Sequence, residues 1–146
     1  MFHIVSNEVQ VYDIEGKNVA DVLPKFKFRC EGITSFALAP AASDPGVYHF
    51  SSFVPEKKGK PAKSSIHAFD PLGLRGRGIF ATVCCKAVFQ AEECTIKWSP
   101  SGHAAIALTH TSVDTSGSSY YGSTGLYLLN TDSKAAEAVV NVPLAK

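Results

Sequence analysis

Short apolar runs and period-two alternation, each bounded by Gly, Pro, Asp, Asn or Ser, dominate the chain. Apolar residues seldom recur at the i, i+3, i+4, i+7 spacing of an amphipathic helix. The pattern predicts strands over 9–14, 19–23, 34–38, 47–54, 65–69, 79–89, 95–98, 104–110, 125–130 and 138–142. One short helix-like spacing falls around 135–139. The expectation is an all-β chain.

The order of these strands repeats. Phe36-Ala-Leu38-Ala-Pro40 and Ile96-Lys-Trp98-Ser-Pro100 each lead into a turn ending in glycine, Gly46 or Gly102. A second strand follows, then a polar stretch, then a third strand ending in a turn residue, Asp70 or Asn130. Corresponding positions of the first and third strands lie 60 residues apart. Val9-Gln-Val-Tyr12-Asp13 reads as the third strand of a preceding unit whose first two strands are missing. Units of about four antiparallel strands with a Trp-Ser-Pro-Ser-Gly turn predict WD40-like propeller blades. Proline cannot donate to the ladder and so ends a strand, while glycine accepts the positive φ of the turn. Leu38 and Trp98 are expected to fill the space between blades. The units are 1–30 (the end of one blade), 31–92 (a second) and 93–146 (a third). About two and a half to three blades cannot close a ring of four or more, so the chain is expected to be a fragment of a larger propeller.

Composition narrows the function classes. The 146 residues are 45% hydrophobic and 18% charged, which supports a packed core and disfavours extended disorder. The longest clean apolar run, 36–42, is too short to span a bilayer and contains Pro40, and the N-terminus lacks the pattern of a secretory signal. A cytoplasmic protein without membrane partners is expected. Cys30, Cys84, Cys85 and Cys94 form no Cys-x-x-Cys pair, and adjacent Cys84 and Cys85 would face opposite sides of a strand, so neither a disulfide framework nor a zinc site is expected. Phosphate-cradling, nucleophile-elbow and metalloprotease motifs are absent, and His3, His49, His67, His103 and His110 are scattered. The reading is of a non-catalytic protein with no cofactor.

Charge is uneven beneath a net of +1. From Lys57 to Arg77, six cations (Lys57, Lys58, Lys60, Lys63, Arg75, Arg77) face one acid, Asp70, a local +5 that leaves about −4 elsewhere. Lysines 57–63 stand in a Lys-, Gly- and Pro-containing connection expected to be long and solvated, and the arginines in Gly73-Leu-Arg-Gly-Arg-Gly78, read as an interblade loop. All six are candidate contacts to RNA phosphates. Tyr120 and Tyr121 lie in the equivalent loop of the next unit and are candidate anchors for a partner.

One stretch carries a family resemblance. Trp98-Ser-Pro-Ser-Gly102 leads through a strand to Val113-Asp114-Thr-Ser-Gly117-Ser-Ser-Tyr120-Tyr121-Gly122, which resembles the propeller of the eukaryotic translation initiation factor 2A family. Ser6-Asn7-Glu8-Val9, Phe53-Val-Pro55 and Phe89-Gln-Ala-Glu before Cys94 to Trp98 are similar to it as well. The resemblance implies a piece of a nine-bladed propeller without the family's C-terminal tail. It further implies a binding platform for the small ribosomal subunit, initiator tRNA and other initiation factors. Two alternatives stay open: the propeller of subunit b of eukaryotic translation initiation factor 3, and a generic WD-type protein scaffold. An incomplete propeller would also expose strand edges through which copies could self-associate.

Overall fold

The structure, a computed structural model, describes residues 1–18, 22–40, 46–89, 91–111 and 124–131. Its strands form three antiparallel sheets. The first joins β1 (Phe2–Val5), β2 (Glu8–Val11) and β3 (Phe26–Arg29) in that order. The second is a four-stranded meander of β4 (Ser35–Leu38), β5 (Tyr48–Val54), β6 (Ala62–Asp70) and β7 (Ile79–Val88). The third joins β8 (Glu93–Trp98), β9 (Ala104–His110) and β10 (Thr124–Asn130). A single helical turn, α1 (Gly73–Gly76), links β6 to β7. This is the all-β, blade-like architecture of a partial propeller.

The middle sheet is packed on both faces, which is why β5 and β6 read as nearly continuous buried runs. Register puts Phe50, His67 and Phe80 on one face, with Phe69 beside them, against Phe2, Phe26, Phe28, Val9 and Val11 of the first sheet. Ile66, Cys84, Phe53, Ala62 and Val88 face the third sheet, where they meet Ala105, Ala107, Leu129 and Ile96. Phe50, Phe53, Phe69 and Ile66 are at most 1% exposed, and each contributes about 1.5–3 kcal/mol by its burial. Trp98 pins the second interface directly, its indole N–H donating to the Ala37 carbonyl at 3.0 Å.

Several local expectations change. β1 and β3 escape the sequence reading because four residues give too few alternations, although Phe26-Lys-Phe-Arg does alternate. β2 therefore has a neighbour on each side, β1 standing before it where the sequence reading expected the preceding strands of the unit to be missing. The run predicted to end at 14 ends at Val11, and Val22 and Leu23 of the 19–23 prediction are not in a strand. Leu38 is 44% exposed at the end of β4, so of the two residues expected between blades only Trp98 joins the core between the second and third sheets. The signals at 135–139 and 138–142 lie outside the described residues.

Candidate nucleic-acid interface

The lysine connection is a tight hairpin, not a long loop. Lys57 and Lys60 form a bridge in which each N–H donates to the other's carbonyl, at 3.2 and 3.0 Å. Lys58 and Gly59 between them take φ values of 50° and 76°. Two consecutive positive φ angles make a two-residue turn of the primed kind, whose twist matches that of the flanking strands. Glycine fills its second position without strain. Because β5 runs to Val54 and β6 begins at Ala62, which is fully buried, the solvated part shrinks to the tip, and Lys57, Lys58 and Lys60 are held there in exposed positions. Lys63 is exposed one position into β6, on the opposite face from buried Ser64. None of these four ammonium groups joins an ion pair among the described residues.

Arg75 and Arg77 do not join this cluster. The β5–β6 and β6–β7 connections lie at opposite ends of β6, since successive turns of an antiparallel meander alternate ends. The seven-residue step from Lys63 to Asp70 spans about 23 Å at the rise of an extended strand. The +5 segment is thus divided between the two ends of the sheet, rather than gathered on one side as its sequence position suggests. Both arginines are exposed, Arg75 in α1 and Arg77 just after it, in a connection expected to be only a loop. Tyr120 and Tyr121 lie outside the described residues.

Reactive side chains elsewhere are placed for structure. Ser52 Oγ stands 2.8 Å from His67 Nε2, and His67 Nδ1 stands 3.1 Å from Thr82 Oγ1, an arrangement the sequence reading missed because the three residues lie on three strands. Geometrically this is a hydroxyl–imidazole pair. Yet His67 is 4% exposed, clustered with Phe28 and Phe50 at ring-centroid distances of 4.6 and 5.0 Å, and Ser52 is 2% exposed. A substrate has no path to it, and burial pulls the His67 pKa down to about 4. Cys84 and Cys85 do face opposite sides, one buried and one exposed. Burial raises the Cys30, Cys84 and Cys94 thiols, the last to about 11, and all four cysteines are free. No group of three metal-ligating side chains occurs among the described residues.

Residues 86–144 match the family model described as eukaryotic translation initiation factor eIF2A. The factor 2A of Dictyostelium discoideum is 32% identical over 142 residues, covering 97% of this chain and 21% of the relative. That of Schizosaccharomyces pombe is 34% identical, covering 86% and 19%. A solved structure titled as a crystal structure of the eukaryotic initiation factor superposes with a TM-score of 0.62 at 28% identity, covering 89% of this chain and 27% of that one. The chain thus spans about a fifth of the length of these curated relatives. With matched residues running through both the fold and the sequence, the chain belongs to the eukaryotic translation initiation factor 2A family.

Proposed function

We propose that this chain is a non-catalytic binding platform in translation initiation, and that its β5–β6 hairpin contacts phosphates of small-subunit RNA or initiator tRNA. Family membership supports the translational setting. The observation that carries the RNA contact is the tight turn, which holds Lys57, Lys58 and Lys60 at one exposed tip with Lys63 close behind. Four ammonium groups without carboxylate partners among the described residues form a compact cationic projection that neutralises phosphate without reading sequence. Other initiation factors, in the cytoplasm where ribosomes work, are the protein partners this reading implies.

Co-sedimentation with purified small ribosomal subunits tests it. Four phosphate contacts predict that affinity falls by about two orders of magnitude between about 50 and 200 mM salt. Reversal of all four lysines to glutamate is expected to abolish co-sedimentation and flatten that salt dependence. Unchanged binding by the reversed variant removes the hairpin from the interface.

A further inference from the structure

The end of the sheets opposite the lysine hairpin has a different chemistry. Seven of its large apolar side chains are exposed among the described residues: Met1, Ile14, Leu23, Leu38, Tyr48, Leu72 and Ile79. Leu23 and Leu72 are 84% and 77% exposed, far more than core packing leaves. Between the first and second sheets this end opens into a cleft of about 380 Å³ lined by Phe2, Phe26, Leu38, Tyr48, Phe69 and Pro71. Lys25 and Asp13, 3.8 Å apart, form part of its lip.

The two arginines that the fold separates from the lysines belong here. The connection carrying them starts at Pro71, which lines the cleft, and ends at Gly78, which is pressed against the Phe26 ring on the same wall. Arg75 and Arg77 are exposed and in no ion pair among the described residues. Of the nearby carboxylates, Asp13 holds Lys25 and Asp70 accepts the Leu72 N–H at 2.9 Å, and neither pairs with a guanidinium among the described residues. An apolar hollow, with a connection rooted in its wall that carries two guanidinium groups, is complementary to an apolar side chain flanked by carboxylates, which arginine grips in bidentate fashion. RNA fits less well. The cleft rings are turned against one another, Phe2 edge-on to Phe69 and Tyr48 stacked on Phe69, so they do not form the row of parallel open faces on which successive bases stack.

We propose that this end is a docking site for an acidic, amphipathic segment of a partner protein, whose apolar side chain enters the cleft while its carboxylates pair with Arg75 and Arg77. The site is independent of the RNA reading, because its residues and those of the hairpin lie at opposite ends of the sheet.

Fluorescence anisotropy on the whole chain tests it with three labelled probes. These are a short peptide with a Leu-Trp-Leu centre flanked by Glu and Asp, its twin with Lys in place of the acids, and a short oligouridylate. The acidic peptide is expected to bind saturably and its lysine twin not at all. Leu38→Glu, and the pair Arg75→Glu with Arg77→Glu, are each expected to weaken the acidic peptide at least about tenfold. Reversal of the four hairpin lysines leaves it unchanged. The substituted side chains are solvent-exposed, and thermal melts verify that each variant folds. Absence of saturable binding by the acidic peptide overturns the proposal, as does binding indifferent to both Leu38→Glu and the arginine pair. Oligouridylate binding that depends on Arg75 and Arg77 also overturns it and assigns this end to RNA.

Discussion

Lowering the pH from 7 to 5 should loosen the contact between the first and second sheets through one residue, His67. Its imidazole lies between Phe28 and Phe50, bonded at one nitrogen to Ser52 and at the other to Thr82, with the Cys30 thiol also bonded to Ser52. No charged side chain is bonded to it, and burial holds its pKa at about 4. In the unfolded chain the same group titrates near 6.5. Between these values the unfolded state binds the proton and the folded state refuses it, so stability falls as pH falls. The contribution is complete above about pH 6.5, about 2 kcal/mol of it is gone by pH 5, and about 3 kcal/mol is gone below pH 4. Urea unfolding followed by fluorescence of Trp98, the single tryptophan, reads this directly. Carboxylates and the other histidines titrate too, so the informative quantity is the difference from His67→Phe. That variant keeps a ring at the position but takes from the buried Ser52 hydroxyl its ring partner, and should start about 1–3 kcal/mol less stable at pH 7. Its loss between pH 7 and 5 should be smaller than that of the unsubstituted chain by about 2 kcal/mol. Two parallel stability–pH curves would show that His67 accepts a proton in place and would refute the reasoning.

Two further outcomes follow from packing. Gly78→Ala should cost more than Gly76→Ala by chemical denaturation. Both have positive φ, at about 1 kcal/mol each, but a Cβ at 78 would lie 2.7 Å from Phe26 while one at 76 meets nothing within 4 Å. Equal losses would mean that the Phe26 ring yields freely. Iodoacetamide at pH 8 should modify exposed Cys85 rapidly and leave buried Cys84 untouched, while Cys94, with its pKa at about 11, carries thiolate in only about one molecule per thousand. Peptide mass mapping checks the order of modification, and equal rates at the four sites would contradict the fold.

Much of the architecture is legible in local pattern, because a half-buried strand must alternate and a fully buried one must run apolar. β5, β7, β8, β9 and β10 were found close to their observed limits on that basis. β1 and β3 were missed: an isolated stretch such as Phe2-His-Ile-Val carries too few alternations to stand out, and its strand character comes from pairing with β2. The hairpin turn was misjudged for a related reason. Lys-Lys-Gly-Lys lacks the Asn-Gly or Asp-Gly signature of such turns, and the register of Val54 on Lys63 forces the tight reversal.

By itself the sequence determined the all-β class, the alternation of strand and turn, and the concentration of cations between 57 and 77, since each depends on residue type and spacing along the chain. Only the tertiary structure decided which of those cations stand together. Antiparallel connections alternate ends, so β6 carries the lysines to one end and the arginines to the other. The same long-range pairing set Ser52, His67 and Thr82 in one hydrogen-bonded line from the interior to the surface and opened the apolar cleft at the end that carries Arg75 and Arg77. These neighbours are distant in the chain, and their meeting depends on strand register and on which sheet faces which.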